Sequence, residues 1–197
     1  MTIRVCLLAA GKQSRSGQIC AKSMTLIDGV PVLAYLVDAI PGNYPVDVVA
    51  LKDNPSVRQM ERVIHGRGKT LLLDASQSQG DTMRQYARVM PCSEIIYMSA
   101  DTYPCLPLLL RLPAERNSMY YDPFENISIL RVRVDMAADS MYENKLDYAA
   151  RYLHHVRFVR LNCINVNGWE DVHRIMKSFH NVPDGIMVNV VSQDDLG

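Results

Sequence analysis

Apolar positions along the chain alternate between two spacings. Short runs rich in apolar residues cover 3–9, 46–51, 70–73 and 94–100, and each predicts a buried strand. The stretches between them carry apolar residues three and four apart. Pro31 opens one such stretch, with Val32, Leu33, Leu36, Val37 and Ile40 on a single stripe. Residues 56–64 place Val57, Met60, Val63 and Ile64 on one side of a second helix, and residues 81–90 predict a third. Strand and helix in regular alternation mean parallel βαβ units with right-handed crossovers.

Beyond Asp101 the rhythm loosens, punctuated by Pro104, Pro107 and Pro113. Residues 127–134 alternate Ile127, Ile129, Val132 and Val134 with Arg131 and Arg133, as a half-exposed strand does. Helices are predicted over 142–153 and 169–179, and strands over 158–164 and 186–191. No repeat, low-complexity tract or long linker divides the chain. The expectation is an α/β fold: one Rossmann-like three-layer domain over residues 1–197, with a mostly parallel mixed sheet.

Composition narrows the function classes. The 197 residues carry 21 Lys+Arg and 21 Asp+Glu, a formal charge of zero, so no global field favours non-specific nucleic-acid binding. No apolar stretch approaches the roughly 18 residues of a membrane span, and residues 1–11 do not read as a leader. A soluble cytoplasmic protein is expected. The five cysteines include no C-x-x-C pair and read as reduced thiols. Adjacent His154 and His155 point apart and read as exposed side chains, not a zinc site.

Ligands of a twisted parallel sheet sit beyond the carboxyl ends of its strands. Residues 11–22, 99–104 and 165–168 should meet there. In the first, Leu8-Ala9-Ala10-Gly11-Lys12 leaves a strand through small residues, so backbone amides can approach an anion closely. Lys12, Arg15 and Lys22 add three positive charges, enough for a triphosphate. Two familiar phosphate loops fail: Gln13 stands where a dinucleotide motif needs glycine, and the Walker-like run ending Gly68-Lys69-Thr70 would need its first glycine at Val63. In the second, Asp101 caps a predicted strand, where it suits a hard cation such as Mg²⁺ or the start of a helix. In the third, Asn167 reads equally as a ligand or as a helix N-cap with Glu170 as capping partner.

Together these segments resemble the nucleotidyltransferases of glycosyltransferase-A-like fold, which include sugar-1-phosphate nucleotidylyltransferases and molybdenum-cofactor guanylyltransferases. The matching features are A-A-G-x-x-x-R at 9–15, a lysine at 22, a strand-end aspartate at 101, N-V-N-x-x-E-D at 165–171 and Asp28-Gly29-Val30-Pro31-Val32-Leu33. The resemblance implies transfer of a nucleoside monophosphate from an NTP to a small phosphorylated acceptor, with Mg²⁺ as cofactor. It implies that Leu8, Ala9, Ala10, Gly11 and Lys12 wrap the nucleotide phosphates, and that Arg15, Lys22 and Asp101 are catalytic. Asp101 and Asn167 would hold the metal, and Gln79, Gly80 and Asp81 would meet the base or ribose. Residues to about 105 would serve the nucleotide and residues 106–197 the acceptor, with Arg131, Arg133 and Lys145 gripping its phosphate and Tyr120 and Tyr121 lining it. Read from the residues alone, the two arginines are better taken as a solvated strand face.

Two departures stand out: Gln13 replaces the usual second glycine, and Ala21 stands where proline normally precedes the lysine. The stretch Asp101-Thr102-Tyr103-Pro104 also differs from the Asp-Ala-Ala-Arg of methylerythritol-phosphate cytidylyltransferases, which argues against that reaction. Two alternatives stay open. A glycosyltransferase using a sugar nucleotide shares the fold but usually carries a D-x-D pair, which Asp101-Thr102-Tyr103 lacks. A non-catalytic nucleotide-binding relative would not need Arg15, Lys22 and Asp101 together. No membrane or nucleic-acid partner is expected, and a homo-oligomer is left open.

Overall fold

The computed structural model describes residues 2–10, 21–105 and 109–180, with side chains through residue 177. The loop bearing Gly11, Lys12 and Arg15, and the strand expected over 186–191, lie outside the described residues. Strand β1 (Ile3–Leu8) precedes a small hairpin of β2 (Leu26–Ile27) and β3 (Val30–Pro31). There follow α1 (Val32–Ala39), β4 (Val46–Leu51), α2 (Val57–Val63), β5 (Thr70–Leu73), α3 (Gln79–Val89) and β6 (Glu94–Ser99). The second half adds β7 (Thr102–Pro104), β8 (Ser118–Asp122), β9 (Ile127–Arg133), α4 (Val134–Asp139) and α5 (Lys145–Tyr152). It closes with β10 (Val156–Phe158), β11 (Cys163–Asn165) and α6 (Trp169–His180).

Seven strands form one sheet in the order β10-β8-β9-β6-β1-β4-β5. Strand β9 runs against both of its neighbours, and every other adjacent pair is parallel. Because successive side chains of a strand face opposite ways, the sheet feeds two cores. Val5, Leu7, Ile96 and Met98 pack against Leu33 and Leu36 of α1 and Met60 of α2. Cys6, Ile95 and Tyr97 pack on the other face against Met83 and Tyr86 of α3, Ala137 of α4 and Tyr148 of α5. The result is three layers, helices on both faces of a mostly parallel sheet, as the alternating pattern predicts. Among the described residues, no helix is long and apolar enough to cross a membrane.

The strand expected over 158–164 is instead two strands in different sheets. Asn162 adopts φ 48°, a left-handed turn that asparagine tolerates. It separates β10, at the edge of the large sheet, from β11, which pairs antiparallel with β7. That small sheet, β2 and α6 enclose a third core of Ile27, Tyr103, Ile164, Val166, Val172 and Ile175. The third core presents residues 165–168 to the end of β6.

Candidate active site

The sheet's connections run outward from β1 in both directions, to β4 and β5 on one side and to β6 on the other. A crevice opens at such a switch point, beyond the carboxyl ends of the strands. Here it is a cleft of about 360 Å³. Leu8, Ala9 and Ala10 leaving β1, and Ser99, Ala100 and Asp101 leaving β6, form its floor. Lys22 and Ser23 line it further, as do Ser76, Gln77, Ser78, Gln79 and Thr82 around the start of α3.

Lys22 begins a single 3-10 turn, Lys22–Met24, whose Ser23 and Met24 are buried. Ala21 before it has φ −59° and ψ 141°, the backbone a proline would impose. Its N–H donates to the buried Ser56 hydroxyl at 3.1 Å, a bond proline lacks. The departure at 21 therefore keeps the shape and gains an anchor. From this turn the Lys22 ammonium reaches Asn167, donating to its Oδ1 at 3.2 Å across 145 residues of sequence.

Asp101 sits where β6 gives way to β7, half-buried. Its carbonyl accepts the Val166 N–H at 2.9 Å, which brings residues 165–168 beside it. Desolvation pushes the Asp101 carboxyl above the ordinary range, and the positive charges of Lys22 and Lys145 offset only part of that shift. Among the described residues, no cation pairs directly with it. Asn167 is not the helix cap. Asp171, three residues past Gly168, takes the N–H groups of Asn167 at 2.7 Å and Gly168 at 3.3 Å. The capping partner is thus Asp171 and not Glu170, because α6 starts one residue later than Asn167 as cap would require. The Asn167 side chain is left for Lys22 and for the Asn165 carbonyl, to which it donates at 3.3 Å.

Lys145 approaches from the first turn of α5. It is 3% exposed, and its ammonium donates to the Ser128 carbonyl at 2.9 Å and the Ser99 hydroxyl at 3.2 Å. Burial pushes its pKa down from 10.5 to about 8, against a pull upward from Asp101. It lies beneath the cleft floor, a fixed positive charge under Ser99. Its backbone N–H also donates to Gln79 Oε1 at 3.2 Å, which orients that side chain at the head of α3.

Other expected residues fall elsewhere. Arg131 and Arg133 lie on β9, in register with Ile96 and Glu94. Because β9 is antiparallel to β6, they stand toward the opposite end of the sheet from Asp101. Arg131 pairs with Glu94 at 2.7 Å and Arg133 with Asp135, so neither faces the cleft. Tyr120 packs in the core among the α1 and α2 residues. Gly80 serves packing: a Cβ there would lie 2.0 Å from the Tyr142 carbonyl oxygen, and its N–H donates to the Glu143 carbonyl at 2.6 Å. Asp81 closes the helix start by accepting the Gln77 N–H at 3.0 Å.

Cleft residues that the sequence reading did not single out are hydroxyls and amides: Ser23, Ser76, Gln77 and Ser78. One signal was present, the S-x-x-D spacing of Ser78 and Asp81 that marks a helix start. The Ser78 hydroxyl does accept the Asp81 N–H at 3.1 Å.

Mg²⁺ takes about six oxygen ligands and keeps several waters. The described residues include no group of three or more His, Cys, Asp or Glu side chains able to hold a metal. One carboxylate, Asp101, raised by desolvation and without a direct cationic partner, fits an ion whose other ligands arrive with a nucleotide. A closed protein cage does not fit.

The fold recurs in solved structures. A nucleotidyl transferase from Methanothermobacter thermautotroptrophicus superposes with a TM-score of 0.69 at 17% identity, over 91% of this chain and 98% of that one. The inositol-1-phosphate CTP transferase from T. maritima gives 0.65 at 11% identity, over 92% and 97%. HddC from Yersinia pseudotuberculosis, solved with GMP-PN, gives 0.62 at 16% identity, over 91% and 100%. No protein-family model matches the chain, and a comparison with curated proteins gives no match. At these identities the likeness fixes the fold, which is that of the nucleotidyltransferases named.

Proposed function

We propose that the chain is a nucleotidyltransferase that moves a nucleoside monophosphate from an NTP to a small phosphorylated acceptor, a sugar phosphate or phospho-alcohol. The observation that carries this reading is the placement of Lys22 and Asp101 in one cleft at the sheet's switch point, with Asn167 hydrogen-bonded to Lys22. The shared fold supports it.

An acceptor phosphate oxygen attacks the α-phosphorus, the new O–P bond forms, and the bond to pyrophosphate breaks in line. Such transfer asks the protein for positioning and for neutralisation of developing charge. Lys22 offers its ammonium to the α-phosphate. Lys145, which donates to the Ser99 hydroxyl, sets a positive charge beneath the floor. Arg15, five residues past Ala10 in the sequence, is assigned by the resemblance to the leaving pyrophosphate. Mg²⁺ brought by the nucleotide, with Asp101 as its protein ligand, would neutralise phosphate charge. The uncharged wall of Ser76, Gln77, Ser78 and Gln79 suits a ribose or base.

Pyrophosphate release tests the reading. The protein is given each of ATP, GTP, CTP, UTP and dTTP with Mg²⁺ and a panel of sugar 1-phosphates and phosphorylated alcohols. One pairing should release pyrophosphate in step with nucleotide consumed. No release from any pairing would overturn the reading.

A further inference from the structure

Asn167 occupies the position where the resemblance expects a metal ligand, yet its surroundings describe a different task. Its Oδ1 faces the Lys22 ammonium at 3.2 Å, so a cation already stands before that oxygen. Its Nδ2 donates to the Asn165 carbonyl and its backbone N–H to Asp171. The amide plane is thereby fixed from its nitrogen side, with the oxygen aimed at Lys22. A divalent ion on the same oxygen would set a second positive charge close to the Lys22 ammonium, an arrangement that Coulomb repulsion disfavours. Lys22 needs such a guide. It extends from a single 3-10 turn on a flexible four-carbon stem, and a point charge without a fixed direction positions poorly. The turn itself is pinned through Ala21 and Ser56, and Asn167 fixes the far end of the side chain.

We infer that Asn167 is a positioning residue for Lys22, not a ligand of the metal, so that the protein contributes one carboxylate, Asp101, to a nucleotide-borne ion. The inference rests on the nucleotidyl-transfer reading of the cleft. It makes Asn167 and Lys22 one functional unit whose effect on nucleotide phosphates needs no metal.

The test measures binding of inorganic pyrophosphate and of the five NTPs by calorimetry, in EDTA and in Mg²⁺, to wild type, Asn167→Ala, Asn167→Asp, Lys22→Met and the Asn167→Ala/Lys22→Met pair. Asn167→Ala should weaken phosphate binding about five- to tenfold in EDTA, the worth of one ordinary hydrogen bond. In the Lys22→Met background it should change nothing further, because residues acting through one contact are not additive. Asn167→Asp keeps an acceptor for Lys22 and should leave the Mg²⁺ requirement within twofold of wild type. The inference falls if Asn167→Ala binds like wild type in EDTA and weakens only with Mg²⁺. Additive losses in the double variant, or a Mg²⁺ requirement that drops tenfold in Asn167→Asp, would also overturn it. A wild type that binds none of the probes removes the nucleotidyl-transfer reading itself, an outcome distinct from these.

Discussion

The two ends of the large sheet treat charge in opposite ways. At the end where β1, β4 and β6 begin, charged side chains are matched within the protein. Burial pushes the Asp47 carboxyl up, but the Nε and Nη2 groups of Arg4 (2.6 and 2.7 Å), the Tyr86 hydroxyl and the Lys69 N–H outweigh it and hold it below its ordinary value. Glu94 likewise is pushed up by burial and brought down further by Arg131 and Arg116. At the end where the same strands finish, Asp101 is raised and Lys145 is lowered, and neither has a direct ion-pair partner among the described residues. Charges that are satisfied at rest hold a fold together, whereas charges left at a desolvation cost are ready for a ligand to compensate. The contrast separates scaffold from site without reference to any relative.

The largest expected effect lies at the unmatched end. Asp101→Ala and Lys22→Met should each lower the kcat of pyrophosphate release by about 10²–10⁴, the range for losing a charge clamp that acts in the transition state. Either variant retaining activity within tenfold would break the contrast.

At the matched end the loss should appear in stability instead. Asp47→Ala leaves Arg4 and Tyr86 without their buried partner and should cost about 3–5 kcal/mol in denaturant unfolding. A cost below about 1 kcal/mol would mean the network is ornamental.

A pH series sharpens the difference at Lys145. The unfolded chain keeps that proton up to about 10.5, while the folded protein releases it near 8. The unfolded state therefore binds more protons across this window, and stability attributable to Lys145 rises as pH climbs through it, by about 3 kcal/mol in all. Below the folded value the burial penalty is fully present. Subtracting the Lys145→Met curve from wild type should isolate the rise, and parallel curves would show that the ammonium is well solvated.

The smallest effect is expected from Arg133→Ala, whose pair with Asp135 is exposed. Both KM for the acceptor and stability should stay within about twofold and 0.5 kcal/mol of wild type. A tenfold rise in acceptor KM would return this arginine to the site.

Much of this was legible in the sequence where local pattern and tertiary role agree. Strand β4 is buried on both faces and edge strand β5 is a short apolar run, so both appear with their observed bounds. Strand β8, Ser118–Asp122, lies just past the prolines and shows no clean apolar run, and it was missed although a turn with Asn117 at φ 49° precedes it. That Lys22, Asp101 and Asn167 lie near one another was legible because strand ends in such a sheet converge. Arg131 and Arg133 were misplaced because the direction of β9 decides which end of the sheet they reach, and direction is not written in a two-residue period. Lys145 was singled out as a grip on the acceptor, and its burial beneath Ser99 depends on how α5 packs over β9. Arg15 and the phosphate loop stay expectations, since they lie outside the described residues.

The central claim is that the unmatched end binds a nucleoside triphosphate through Lys22. A thermal-shift titration with ATP, GTP, CTP, UTP and dTTP, with and without Mg²⁺, on wild type and Lys22→Met tests it most directly. A ligand at 100 times its Kd adds about 2.7 kcal/mol, a shift of roughly 5–10 °C for a chain of this size. The account predicts such a shift for one base in wild type and its loss in Lys22→Met. No shift with any of the five, or an equal shift in the variant, would contradict it.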